Sequence, residues 1–180
     1  MKKKSRLLRS LQCLLPVSAL LITALVALSS TSLYDSNKAD YYLPKHYQGE
    51  VAIIYGCSTC ANPQVQNGRP RLVIPDSGIL LTKMTYKAGH PEEHFFMKNN
   101  AGTYTAVEPY MWQTDTSKKY IFFERVMNFG YAKDSLNYYV TFFYVGKKLD
   151  SASDKSRALF EDRVNELIKK NRDRIKGARD

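Results

Sequence analysis

The chain has 180 residues and a formal charge of +10, from 27 Lys and Arg against 17 Asp and Glu. The surplus lies at the ends: residues 1–33 hold five bases and no acid, residues 34–146 hold 11 bases and 10 acids, and residues 147–180 hold 11 bases and seven acids. A near-neutral body lacks the basic stripe of a nucleic-acid binder, so that class is set aside. The 147 residues from Tyr34 to Asp180 suffice for one domain with a real core and are too few for two.

Lys2, Lys3, Lys4, Arg6 and Arg9 form a basic head, followed by an apolar run from Leu11 to Leu28 and the small polar stretch Ser29-Ser30-Thr31-Ser32. That order is the order of an export signal, and the positive-inside bias leaves the head in the cytoplasm. The segment is predicted to be a hydrophobic export helix, with two fates open. Ala27-Leu28-Ser29 offers small residues for a cut after Ser29, which gives a secreted domain. The run from 11 to 28 also reaches the roughly 18-residue length of a membrane span, which gives a single-pass anchor. Residues 1–33 are therefore signal peptide or anchor, and residues 34–40 a polar linker. Cys13 has no small residues leading to it and reads as an apolar member of the run, not a lipid-attachment site.

Residues 41–148 read as a β-rich domain. Gln48 to Gly56 alternates and then turns wholly apolar, as a strand does. Cys57 to Arg69 has the Asn, Pro, Gly and Gln of a long loop. Leu72-Val73-Ile74 and Ile79 to Met84 flank the turn Asp76-Ser77-Gly78 and read as a hairpin. His94 to Lys98 and Thr103 to Val107 flank Asn99-Asn100-Ala101-Gly102 and read as a second. Lys119 to Met127 and Leu136 to Val145 are the strongest strands, aromatic and β-branched. The period changes near the end: Leu159, Phe160, Val164, Leu167, Ile168 and Ile175 recur at helical spacing. Ser153 is positioned to cap that helix, and Lys169, Lys170, Arg172, Arg174 and Lys176 meet the negative pole of its dipole. The predicted fold is mainly β: an antiparallel sandwich or barrel-like domain with one C-terminal amphipathic helix over 151–176.

Three segments carry a resemblance: Tyr42-Leu43-Pro44-Lys45-His46-Tyr47-Gln48-Gly49-Glu50-Val51, Ile74-Pro75-Asp76-Ser77-Gly78-Ile79-Leu80-Leu81-Thr82, and Phe142-Phe143-Tyr144-Val145-Gly146. In this order they resemble a bacterial family of exported, lipoprotein-type β-rich domains of unknown function. The resemblance implies a small β-rich domain behind a signal peptide or lipoprotein signal, with no assigned activity. Cys57 and Cys60 depart from the family pattern, and the terminal helix lies beyond the matched segments.

Cys57-Ser58-Thr59-Cys60 is the sharpest local motif. Outside the cytoplasm two close cysteines oxidise, which makes a loop-stiffening disulfide the plain reading. A redox centre needs the first thiolate at a helix N-terminus, and Ala61-Asn62-Pro63 is poor helix material. His90-Pro91-Glu92-Glu93-His94 matches the H-x-x-E-H pattern of one metallopeptidase class, but Pro91 and the strand-like run after His94 deny it the helix that chemistry requires. Cys57, Cys60, His90 and His94 together have the ligand types of a zinc centre, the low-ranked metal alternative. Glu92 and Glu93 are adjacent and point to opposite strand faces, so they are not a glycosidase pair. No nucleophile elbow, P-loop or dinucleotide fingerprint is present. No catalytic residue and no cofactor is assigned, and the reading leans away from an enzyme.

Tyr41, Tyr42, Tyr47, Tyr110 and Trp112, with Tyr138 and Tyr139, are candidates for a binding platform, because rings offer flat apolar faces at low entropic cost; ordinary strand packing is the competing account. The reading is an exported, periplasmic or extracellular envelope module that binds a protein or glycan partner. A thiol-disulfide or zinc protein built on Cys57 and Cys60 is the rival. Membrane contact runs through residues 11–28 if the leader stays, and nucleic acid is excluded.

Overall fold

The computed structural model describes residues 38–89, 92–112, 115–131, 136–147 and 154–175. The expected export helix, the cap at Ser153 and His90 lie outside the described residues. Among the described residues no helix is long and apolar enough to cross a membrane.

Nine strands are described: β1 Lys38–Leu43, β2 Gly49–Ile54, β3 Gln64–Gln66, β4 Arg69–Val73, β5 Ile79–Leu81, β6 Glu92–Lys98, β7 Tyr104–Val107, β8 Tyr120–Tyr131 and β9 Leu136–Gly146. One helix, α1 Asp154–Lys170, and a 3₁₀ turn, Arg172–Arg174, follow them. The strands form two open sheets, ordered β3-β4-β1-β6-β7 and β5-β2-β9-β8. The mainly-β sandwich with a terminal helix is thus the observed architecture, but the pairing is mixed and not antiparallel throughout. β1 runs parallel to both β4 and β6, and β2 runs parallel to β5. The reason is connectivity. The chain crosses between sheets after β1, β2, β4, β5 and β7, and a crossover can return to a neighbour in the same direction where a tight hairpin cannot.

Two expectations are corrected by this crossing. Leu72–Ile74 and Ile79–Met84 do not form a hairpin, because Pro75–Gly78 carries the chain from the first sheet to the second. β5 then pairs with β2 at Ala52↔Ile79, and the Ala52 N–H donates to the Gly78 carbonyl at 2.9 Å. The loop from Cys57 to Arg69 contains a hairpin instead. Asn67 and Gly68 both take positive φ, 53° and 74°, as a two-residue turn matched to strand twist requires, and β3 pairs antiparallel with β4 across it. The Asn99–Gly102 hairpin between β6 and β7 and the long β8–β9 pairing are as expected. β1 begins at Lys38, three residues before the expected opening of the domain, and α1 stops at Lys170, short of the expected 176.

The burial pattern explains why β2 and β9 read as apolar runs. Val51, Ile53, Phe143 and Val145 face the first sheet and pack with Ala39, Tyr41, Leu43, Leu72 and Phe95. Tyr41 stacks on Phe95 at 5.0 Å and meets Phe143 edge-on at 5.5 Å. The opposite face, Ala52, Ile54, Val140 and Phe142, lies under Phe160, Val164 and Ile168 of α1. Both faces of the second sheet are therefore covered, so polar alternation vanishes. Burying a side chain such as Val164 or Ile168 contributes roughly 1.5–3 kcal/mol. Leu159, read as part of the stripe, is 58% exposed; the buried stripe starts one residue later. The outer face of the first sheet carries no helix among the described residues.

Candidate binding faces

Cys57 and Cys60 are joined by a disulfide, with Cα atoms 5.4 Å apart. Cys57 is fully buried, and its N–H donates to the Thr82 carbonyl at 2.9 Å. It also forms an isolated bridge with Ile175, while the Arg174 side chain bonds the Thr59 hydroxyl at 2.7 Å. The bridged loop therefore clasps the residues after α1. No helix follows the pair. His94 lies elsewhere, on β6 of the other sheet, with Nδ1 3.4 Å from Asp40 and Nε2 3.6 Å from Glu92. Cys57, Cys60 and His94 are not brought together. Among the described residues no group of three or more His, Cys, Asp or Glu is placed to hold a metal.

The outer face of the first sheet is built by register. Asp40 aligns with Arg71 and His94, and Tyr42 with Val73 and Phe96. At one end Arg69, largely buried, donates from Nε to Asp40 at 2.5 Å and from Nη1 to Glu92 at 2.8 Å. Its Nη2 donates to the Glu92 carbonyl at 2.8 Å and the Ala39 carbonyl at 3.2 Å. A planar guanidinium suits this fork, where lysine would satisfy only a point contact. Next along the face Tyr42 stacks on Phe96 at 5.1 Å and receives the Tyr104 ring edge-on at 4.9 Å. The Arg71 guanidinium sits 4.3 Å over the Tyr42 ring, and Val73 is exposed beside it. The result is a held row of rings between charged groups, with Tyr42 and Phe96 half-buried and Tyr104 exposed.

The other candidate aromatics separate. Tyr41 and Tyr138 are core residues. Tyr47 donates its hydroxyl to the Glu50 carbonyl at 2.6 Å, and burial pushes its pKa to about 12. Tyr139 stacks on Tyr86 at 4.7 Å. Tyr110 packs on Phe122 at 4.8 Å, and its N–H donates to the Ile121 carbonyl at 2.8 Å. Met111 and Trp112 stand out beyond it, 74% and 90% exposed, with Trp112 at φ 68°. A bulky residue in the left-handed region is strained and uncommon.

A cavity of about 320 Å³ is lined by Tyr41, Tyr55, Tyr86, Glu93 and Glu124 among others. Glu93 accepts the Tyr41 hydroxyl at 2.7 Å. As expected, Glu92 and Glu93 face opposite ways: Glu92 meets Arg69, and Glu93 turns inward. A one-residue bulge in β8 between Phe122 and Arg125 brings Glu124 to the same cavity. Loss of hydration, then the hydrogen bond and charge of Glu93, raise the Glu124 carboxyl above the ordinary range. Glu124 keeps an open edge, which tempers the size of that rise but not its direction.

Sequence reasoning missed Asp40, Arg69, Arg71, Phe96 and Tyr104. Asp40 was placed in a linker, and once a strand starts at Lys38 the alternation of Asp40 with Tyr42 puts both on one face. The family model described as a family of unknown function (DUF6843) matches residues 35–154. No curated protein matches the chain. Among solved structures, a crystal structure of a provisionally named lipoprotein from Bacillus anthracis is similar at a TM-score of 0.54 and 15% identity, covering 76% of this chain and 95% of that one.

Proposed function

The chain belongs to the DUF6843 family of unknown function, and we propose that it is an exported, non-enzymatic envelope module that binds a glycan through the outer face of its first sheet. Export is supported by the basic head and apolar run of the leader, by a Cys57–Cys60 bridge suited to an oxidising compartment, and by a structural neighbour provisionally named a lipoprotein. Secretion after Ser29 and anchoring through residues 11–28 both place the domain on the same side.

The observation that carries the binding reading is the Tyr42–Phe96–Tyr104 row. These rings are ordered against one another and against Arg71, yet remain on a face that nothing described covers. Rings flanked by Asp40, Arg71, Glu92 and His94 offer both apolar faces and hydrogen-bond partners, the combination a glycan needs. A protein partner is the second occupant of that face. The rival thiol-disulfide reading is disfavoured by the burial of Cys57 and the missing helix.

The test is co-sedimentation with purified peptidoglycan sacculi. The wild type is expected in the pellet, and Tyr42→Ala or Tyr104→Ala, with unchanged circular dichroism, in the supernatant. If wild type and both variants all stay soluble, the glycan reading is lost and a protein partner takes its place.

A further inference from the structure

A groove of about 480 Å³ opens beside β7 and the start of β8, and its lining includes Lys98, Lys118, Lys119, Lys147, His46 and one acid, Glu108. Lys119 is fixed: its Nζ donates to the His46 carbonyl at 2.6 Å and the Tyr47 carbonyl at 2.7 Å. Partial burial and then the nearby Lys147 ammonium lower its pKa, so the folded protein holds like charges together. Among the described residues Lys98, Lys119 and Lys147 have no carboxylate in ion-pair range. Lys118 has Asp115 at 3.7 Å, both exposed, a weak pair. The groove is therefore charged for an anion and contains almost nothing that answers it.

Both limbs of one loop line this groove, Glu108 on the way out and Ser117–Lys119 on the way back, and on the outgoing limb Met111 and Trp112 are exposed just past the pairing of Tyr110 with Ile121. Trp favours the membrane–water interface, and lysines beside it attract acidic headgroups. A soluble polyanion would account for the lysines but not for an indole 90% exposed on the same loop. We propose that the lysine groove and the exposed Trp112 of the same loop together dock the domain on an anionic phospholipid surface, with headgroup phosphates at the lysines and the indole among the headgroups. This stands apart from the glycan reading, which uses the outer face of the first sheet.

Trp112 is the single Trp of the chain, so its fluorescence reports this loop alone even when the full chain is held in a bilayer by its leader. The full chain is reconstituted in vesicles containing brominated phosphatidylglycerol or brominated phosphatidylcholine. Strong quenching of Trp112 is expected in the first and little in the second. Each lysine is worth about fivefold in partitioning, so K98Q/K118Q/K147Q should weaken docking about a hundredfold and bring quenching down to the neutral-lipid level. Lys119 is left alone because it holds backbone carbonyls. Tyr42→Ala should quench like the wild type, which separates this proposal from the glycan reading. Equal quenching in both lipids, none in either, or an equal Trp112 emission shift with soluble polyphosphate and no vesicles would each overturn the lipid assignment.

Discussion

Single residues carry the junctions of this fold. Gly78 turns the chain between sheets at φ +77°, and a Cβ there would sit 2.1 Å from the Tyr47 hydroxyl and 2.5 Å from the Glu50 carbonyl. Gly78→Ala is expected to cost of order 1–3 kcal/mol from backbone strain, with the clash adding to it, read as a lower urea midpoint at unchanged slope. Glu124 makes a different prediction. Its carboxyl keeps a proton in the folded state above the pH at which the unfolded chain loses it. In that window the folded state binds more protons, so stability is full below the ordinary carboxylate pKa and falls as pH rises through the raised one. Glu50, raised mainly by burial, adds to the same slope. Urea midpoints of Glu124→Gln between about pH 5 and 9 should fall less than those of the wild type; parallel curves would remove the shared proton.

At the scale of elements, α1 is a lid on the second sheet. Val164→Ala and Ile168→Ala remove fully buried side chains. A loss of about 1–3 kcal/mol is expected for the first and about 2–5 kcal/mol for the second, measured by chemical denaturation. Leu159→Ala, on the exposed side, should stay within about 0.5 kcal/mol. Arg125 on β8 and Glu161 on α1 form an ion pair across this interface, partly open to water and so a modest contribution. The Cys57–Cys60 ring is short, and Cys57→Ser with Cys60→Ser should cost no more than about 2 kcal/mol by chain entropy; a much larger loss would mean that the bridge also fixes the clasp on Ile175. These elements differ in how far they could be read beforehand. The strands at 119–127 and 136–145 and the helix after 154 were legible because their apolar periods are long. The β3–β4 hairpin was signalled by Asn67-Gly68 and passed over, because Val65 is flanked by Gln64 and Gln66 and supplies little apolar pattern. The crossing at Pro75–Gly78 could not be read at all, since turn chemistry does not say which sheet receives the next strand.

For the whole molecule, the sequence pointed to a sandwich and a helix but not to which sheet face is left uncovered among the described residues. Tyr41 and Tyr42 are neighbours with the same chemistry; one is core and the other surface, and only the sheet they join decides which. The Asp40–Arg69–Glu92 fork spans three strands separated by 29 and 23 positions, beyond any local pattern. A sheet face with ordered rings that no described element covers, a lysine groove with an exposed Trp112, and a second sheet packed under α1 give the domain three chemically different surfaces. The proposed glycan site is the first of these. Its most direct measurement is ¹H–¹⁵N chemical-shift mapping with soluble peptidoglycan fragments. Perturbations centred on Tyr42, Arg71, Phe96 and Tyr104 are expected, with the Cys57 loop unmoved. Saturating fragments that move none of these four resonances would contradict it.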